Sequence, residues 1–530
     1  ATHNTKRDRE RERKRELNHK KRAMSASTEC ACAPCGGGDS CVVVMRSDTL
    51  SAVLDSHSLL WVMMDRHARS VNVVDEALLR DLLKVLELVE SHPSVKAVLL
   101  WSAKSSFVVG ADIHSMYPLT DKNQAKEISM AGQAVFTKLE SLKVPTIACI
   151  NGIALGGGLE IALACSHRVV AKNKKIPLGL PEIKLGLLPG AGGTVRLPKL
   201  IGLQNALQII LAGGSMNPEK AKRQGLVDKV LEYEDRFPGE NRFAKACRAF
   251  AILQTERPIR RRQPKKDLKT WLLEDTLPGR YVVERMSVQM LDKNTRGKYP
   301  APYKALESVM RGYPASRSKA LEIEATLFGE LFASQESKNL ISIYFLTEEA
   351  KKRAARTNNA PFKRVKKVGV IGAGVMGSAI VQLLALKGKH VYMKDIKEEF
   401  VAKGMQNIEA LFDGLVKRKR MTAEEKAMNM ARITSGTSYD GFRDCDVVIE
   451  AAVEIMNLKK KILQECEQYM PEDCLFATNT SSLSVTELGS VAKHPENVLG
   501  MHFFNPVSKM PLVEIIRSSQ SSDSAVATVY

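Results

Sequence analysis

A chain of 530 residues is too long for one hydrophobic core, and its length alone implies about three domains. Its 44% hydrophobic and 26% charged composition fits a folded globular protein and excludes a fibrous or wholly disordered one. No apolar run approaches the ~18 residues that a membrane-crossing helix needs.

The net charge of +20 raises the question of polyanionic partners. Residues 1–22 supply +6 of it, from ten Lys/Arg and four Asp/Glu. Acids interspersed through Arg7–Glu16 argue against an organelle transit peptide, which is acid-poor, and favour a solvated tail. A second basic run, Arg257–Lys269, has no interleaved aromatics and so offers no stacking platform for bases. Nucleic-acid binding is therefore not expected. Attraction of phosphate-bearing small molecules, or peripheral association with an anionic membrane, is the use such charge would have. Four cysteines crowd at Cys30, Cys32, Cys35 and Cys41, but their spacing fits no zinc pattern and no histidine lies among them, so no metal is expected. The other six are scattered singly, as in a reducing compartment.

Residues 1–47 read as a disordered leader that joins no core. From Leu59 (LLWVMMDR) a strand leads into helical periodicity over Leu78–Val89, and Val95–Trp101 is a second apolar strand. The loop Phe107–Asp112 follows, then an amphipathic helix over 125–142 and a β-branched strand, Thr146–Ile150. Gly156–Gly158 turn that strand into an apolar helical segment, Leu159–Ala164. Glycines let backbone amides approach a ligand, and amides at a helix N-terminus face anions and developing negative charge. Glu160 lies in the first turn of this helix, and Glu182 follows 22 residues later, before the glycine-rich loop Pro189–Gly193. Taken singly, Glu160 is a helix-start carboxylate favoured by the dipole and Glu182 an ordinary surface residue. Together with exposed amides they are the parts needed to add water across a carbonyl-conjugated double bond.

The segment resembles the enoyl-CoA hydratase (crotonase) family at Gly156-Gly157-Gly158-Leu159-Glu160, Leu180-Pro181-Glu182 and Gly186 through Thr194, with Gly110-Ala111-Asp112 upstream. The resemblance implies the N–H groups of Ala111 and Gly157 as an oxyanion hole, and Glu160 and Glu182 as an acid/base pair. Both glutamates are present, which favours hydration over the one-glutamate isomerases of that family.

Residues 240–355 read as mostly helical, broken at Lys298–Pro302, and Lys351–Lys367 as a linker. A second fingerprint follows. Val368–Ile371 is a short strand, Gly372-Ala373-Gly374-Val375-Met376-Gly377 a GxGxxG turn, and Ser378–Leu386 a helix. The next strand, His390–Lys394, ends at Asp395, 18 residues beyond Gly377. This context makes the turn a dinucleotide-binding signature, with Asp395 on the ribose hydroxyls favouring NAD over NADP. Further strands, Asp446–Ala451, Leu475–Thr478 and Val498–Phe503, each end in polar residues, and a helix begins at Ser524. The tips Asn479–Ser482 and His502–Pro506 stand out, with Glu514 twelve residues beyond His502. A histidine backed by a carboxylate suits removal of a hydroxyl proton while hydride leaves the same carbon.

These residues resemble the 3-hydroxyacyl-CoA dehydrogenases. That resemblance makes His502 the base, Glu514 its partner, Ser481 a substrate contact, and Gly372, Gly374, Met376, Gly377, Asp395, Glu454, Lys459 and Asn505 contacts to NAD. The two matches come in the order found in α-subunits of fatty-acid oxidation complexes, those of the mitochondrial trifunctional protein and its bacterial counterparts. The expectation is an α/β chain: leader 1–47, crotonase-like (ββα) domain 48–240, helical connector 241–362, and Rossmann NAD-binding domain 363–530. It would hydrate 2-trans-enoyl-CoA and oxidise the product with NAD in fatty-acid β-oxidation. Acyl-CoA substrates, an oligomer with a thiolase subunit, and a mitochondrial site (a peroxisome or bacterial cytoplasm as alternatives) are implied with it. The related proteins continue into an all-helical domain that this chain stops short of, so the alternative is a hydratase or isomerase whose dehydrogenase half is inactive. A basic nucleic-acid- or membrane-binding protein is the remaining rival.

Overall fold

The computed structural model describes residues 41–67, 69–172, 176–232, 242–259, 262–264, 266–356 and 360–530. The basic stretch 1–22, Cys30, Cys32, Cys35 and part of the 257–269 run lie outside these residues. The chain divides into two compact units between Leu346 and Thr347.

The first unit is built on a seven-stranded sheet. In chain order its strands are β1 (Val42–Arg46), β2 (Leu50–Leu54), β3 (Leu59–Met64), β4 (Ala97–Ser102), β5 (Thr146–Ile150), β7 (His167–Ala171) and β10 (Lys229–Leu231), adjacent in that order. β1 to β3 pair antiparallel and the rest parallel. β4 and β5 are buried at every residue, which explains their unbroken apolar sequences: a parallel strand covered on both faces has no polar side to alternate. Covering helices carry the complementary stripe. In Glu76–Ser91, capped by Asp75, it is Leu78, Leu82, Val85, Leu86 and Val89. β1 corrects the expected leader, because residues 42–46 pair with β2 and extend the sheet edge.

A second, three-stranded sheet joins β6 (Ala154–Leu155), β8 (Leu178–Gly179) and β9 (Ser215–Met216). Ala154 aligns with Leu178 and Leu155 with Gly179, so the residues that follow each strand emerge side by side. Helices Arg242–Thr255, Leu277–Thr295, Pro300–Gly312 and Arg317–Phe332, part of the expected connector, share one core with the sheet. The expected linker begins later than its polar composition suggests, since the helix Gln335–Arg356 continues through Lys351.

The second unit is a seven-stranded sheet of β11 (Lys367–Ile371), β12 (His390–Lys394), β13 (Ile433–Gly436), β14 (Val447–Glu450), β15 (Leu475–Thr478), β16 (Val498–Phe503) and β17 (Val513–Arg517). Its order is β13-β12-β11-β14-β15-β16-β17, parallel except for the antiparallel edge strand β17. The order reverses between β11 and β14, the doubly wound topology whose crevice receives a dinucleotide. The last helix, Asp523–Val529, begins one residue earlier than the sequence suggests, with Ser522 as its cap.

Two candidate active sites

In the first unit, three segments are knitted at one end of the small sheet. The Gly156 N–H donates to Gly179 O at 3.0 Å, and Leu155 N–H donates to Val108 O at 3.2 Å. Gly156 has φ +53, and a Cβ there would lie 2.9 Å from Glu182 Oε1, so the carboxyl of Glu182 rests directly on this turn. A Cβ on Gly158 would lie 2.0 Å from Val108 O, which is why the helix Gly157–Ala164 can abut the 107–112 loop only through glycine.

Both expected oxyanion donors lie here. Ala111 forms a parallel bridge with Val74 through the flanking groups, Val74 N–H to Gly110 O and Asp112 N–H to Val74 O, which leaves its own N–H outside the bridge. Gly157 opens its helix, so its N–H has no intrahelical acceptor. The Ala111 nitrogen is 3.6 Å from where a Gly157 Cβ would be, so the two amides are neighbours. Asp112 anchors the loop by accepting from Arg69 Nη2 at 2.7 Å.

Glu160, 3% exposed, accepts at Oε1 from Ala191 N–H (2.7 Å) and Gly193 N–H (2.8 Å). Glu182 Oε2 is buried with no hydrogen-bond partner among the described residues. Burial raises Glu182 to about 8, with the Glu324 charge adding to the rise. Burial also pushes Glu160 well up, as do the charges of Glu182 and Glu324, and its two backbone donors oppose them. Glu324, a fully buried residue of Arg317–Phe332 that holds the same glycine-rich loop, was not singled out from the sequence. A polar residue on a helix of mixed composition carries no signal of that kind.

In the second unit the three glycines of the fingerprint have separable duties. Gly372 turns at φ +102, with Ala451 O only 2.6 Å from where a Cβ would be. A Cβ on Gly377 would lie 1.7 Å from Gly372 O, so the helix Val375–Leu386 packs on the turn at backbone contact. At Gly374 a Cβ would meet nothing within 4 Å. That open surface over a helix N-terminus is the cradle a pyrophosphate requires, and the donor set fits NAD. Asp395, at the end of β12, accepts from Ala373 N–H at 2.7 Å. Met376 is half-buried against the core, and Asn505 is exposed beyond β16.

Glu454 accepts from the Thr480 hydroxyl at 2.5 Å and from Ser481 N–H at 2.9 Å. Burial would raise it, but Thr480, Ser481 and Lys459 together bring it down to about 2. Lys459 differs from the sequence expectation of a direct nucleotide contact. It is 1% exposed, and its ammonium is directed to Glu450, at 2.9 Å from both oxygens, and to Glu454, at 3.3 Å. Glu450, at the end of β14, is the member of this group that the sequence reading missed. His502 and Glu514 face each other across the β16–β17 register, with Nδ1 and Oε2 2.9 Å apart. Asn479 fixes the adjacent strand end by accepting from Phe503 N–H at 2.8 Å.

Comparison with known proteins gives each unit a matching family model. Residues 55–278 match the family model described as enoyl-CoA hydratase/isomerase, and residues 367–530 that of the 3-hydroxyacyl-CoA dehydrogenase NAD binding domain. The fatty acid oxidation complex subunits alpha of Shewanella amazonensis and Shewanella putrefaciens are each 38% identical over 467 residues, covering 88% of this chain and 65% of theirs. The chain therefore spans just under two thirds of the length of these curated relatives. The (S)-3-hydroxybutyryl-CoA dehydrogenase of Ralstonia eutropha is 44% identical over 31% of this chain and 58% of its own, with a TM-score of 0.31. The chain thus carries, in this order, a segment that matches the enoyl-CoA hydratase/isomerase family and one that matches the NAD binding domain of the 3-hydroxyacyl-CoA dehydrogenases.

Proposed function

We propose that the first unit hydrates 2-trans-enoyl-CoA to 3-hydroxyacyl-CoA and that the second oxidises this alcohol to 3-ketoacyl-CoA. The observation that carries the reading is that Glu182 rests on the Gly156 turn beside the Ala111 amide, while Glu160, in the first turn of the helix that Gly157 opens, lies close enough for the Glu182 charge to act on it. The amides of Ala111 and Gly157 take the thioester oxygen and hold the negative charge that grows on it in the enolate-like transition state. Glu160, its Oε1 fixed by two N–H donors, orients the attacking water and takes its proton. Glu182, without a donor on Oε2 and raised to about 8, holds the proton delivered to the α-carbon.

In the second unit NAD, when bound, accepts the hydride. The Nδ1–H tautomer of His502 donates to Glu514, which leaves Nε2 to take the proton of the substrate hydroxyl, and the carboxylate then stabilises the imidazolium. Asp395 meets the ribose hydroxyls, Ser481 meets the substrate, and Lys459 acts through Glu454 rather than by contact.

The relatives are named as subunits of a complex, and for this chain we infer assembly with a partner that consumes the 3-ketoacyl-CoA, a thiolase. Their bacterial origin accords with the bacterial-cytoplasm alternative and lends nothing to the mitochondrial one. Among the described residues no helix is long and apolar enough to cross a membrane. One cuvette tests the assignment, following loss of enoyl absorbance and appearance of NADH. Hydration slowed on the order of 10²–10⁴-fold by Glu160→Gln and by Glu182→Gln is expected, and full hydration in both variants would refute it. Hydration without NADH would leave the hydratase-only reading.

A further inference from the structure

Four consecutive backbone amides of the glycine-rich loop donate in alternation to two carboxylates. Ala191 and Gly193 donate to Glu160 Oε1, at 2.7 and 2.8 Å. Gly192 donates to Glu324 Oε1 at 2.5 Å, and Thr194 N–H donates to Glu324 Oε2 at 2.9 Å. The Thr194 hydroxyl adds a bond of 2.6 Å to Oε2, and Gln133 Nε2 one of 3.0 Å to Oε1. Glu324 thus has four donors on two oxygens, and it lies 130 residues beyond Thr194, on the helix Arg317–Phe332. Phe328, one turn along that helix, lies 2.7 Å from where a Gly190 Cβ would be, so the same face supports the start of the loop. The neighbouring helices also hold the Glu182 turn: the Tyr299 hydroxyl donates to Ile183 O, and Ser337 Oγ donates to Leu185 O at 3.0 Å.

We propose that Glu324 is a positioning residue of the hydration site, which fixes the Glu160 carboxylate through the alternating amides of residues 191–194. The proposal rests on the hydratase reading above. A loop clamped between two carboxylates cannot release one without freeing the other, because the same short backbone presents its N–H groups to both sides. Only a carboxylate suits the position. A glutamine has one acceptor oxygen, and its NH₂ would meet either the Gly192 or the Thr194 N–H. A neutral or shortened side chain leaves buried amides unpaired and the loop free to shift, and a misplacement of about 1 Å costs on the order of 10²-fold in rate.

The charge has a second consequence. The titratable groups acting on the cluster are Glu160 and Glu182, and Glu324 raises both. Arg196, on the helix that follows the loop, is directed to Ala191 O (2.8 Å) and Glu140 (2.9 Å). Gln133 and Ser308, the groups facing from the two other packed helices, are neutral.

Four variants of the full chain test this: E324A, E324D, E324Q and the double variant E160Q/E324Q. In E324A, kcat for hydration is expected to fall about 10²-fold with KM little changed, and E324D is expected to recover part of the loss. E324Q is expected to move the alkaline limb of the kcat profile to lower pH, which a merely structural role would not do. Because Glu324 acts through Glu160, the double variant should be no slower than E160Q alone. Backbone hydrogen exchange at 191–194 should quicken in E324A whether or not the protein hydrates enoyl-CoA. Wild-type protein without hydration, but with this exchange difference, would therefore refute the function and keep the clamp. A kcat within about threefold of wild type in E324A, or additive losses in the double variant, would overturn the proposal. Thr194→Val, which removes one donor at nearly constant volume, carries the same readouts if E324A does not fold.

Discussion

Replacing Lys459 by methionine removes a cation from between two carboxylates while keeping the length of the side chain. Glu450 is fully buried and would be left with two neutral donors, the Thr478 hydroxyl and the Ala452 N–H, each at 2.7 Å. Taking one partner from a buried ion pair costs about 3–5 kcal/mol, chiefly because the other charge remains in a low-dielectric site. For a unit the size of residues 347–530, each kcal/mol moves Tm by roughly 2–4 °C, so the loss should be roughly 6–20 °C. Differential scanning calorimetry on the full chain measures it, with the first unit, which has its own core, as internal reference. The KM for NAD should rise as well, since Glu454 loses the ammonium 3.3 Å away and its hold on Ser481 loosens. Glu450→Gln in the Lys459→Met background neutralises the stranded charge and should restore most of the stability. A drop below about 2 °C, or a double variant as unstable as the single one, would refute the reasoning.

Further outcomes follow from the two sites. Gly374→Ala should fold with unchanged Tm, because its Cβ meets nothing within 4 Å, yet weaken NAD by about tenfold or more in a titration, whereas Gly377→Ala, 1.7 Å from Gly372 O, should destabilise the unit itself. Hydration should fall as pH rises through about 8, where Glu182 loses its proton. The same rise in its pKa means that the stability Glu182 contributes is full below the ordinary carboxyl range and lost as pH climbs toward 8, so pH-dependent melting of the first unit should flatten in Glu182→Gln. Glu514→Gln should lower dehydrogenation by about 10²-fold or more while leaving hydration intact, because the imidazolium of His502 loses the carboxylate 2.9 Å from Nδ1.

The sequence made legible whatever depends on local pattern. The strand–GxGxxG–helix unit and Asp395 stand where spacing puts them, because phosphate-binding turns need glycine at fixed offsets within one short segment. The position of Glu160 in the first turn of a glycine-led helix was legible for the same reason, whereas its role comes only from the family resemblance. Pairings made over long separations were not. Nothing in Ala154–Leu155 or Leu178–Gly179 announces a two-residue strand, yet their register is what brings Glu182 over Gly156. β1 was hidden because a Cys- and Gly-rich tail precedes it, and an edge strand with exposed valines lacks alternation. Lys459 misled because the match of a motif names a residue but not the direction of its side chain. Its amine is drawn inward by Glu450, a residue whose partner only the fold reveals.

One physical problem unites the two sites. A glycine-rich loop brings N–H groups close to a ligand, but it has more of them than the ligand can take, and a buried amide without an acceptor costs about as much as a lost hydrogen bond. Both units assign the surplus to carboxylates from elsewhere in their own fold: Ala191 to Thr194 to Glu160 and Glu324, and Ala373 to Asp395. Charged acceptors hold such amides more firmly than neutral ones, which fixes the loop before any ligand arrives. The amides left over, those of Ala111 and Gly157 in one unit and the helix start at Gly374 in the other, are then already oriented toward the chemistry. Glu160, which helps to hold the loop, is also the residue proposed to take the proton of the attacking water, so in the first unit scaffold and proposed catalyst share a buried charge. A change that neutralises any one of the three glutamates there must therefore register in geometry and in pH dependence at once.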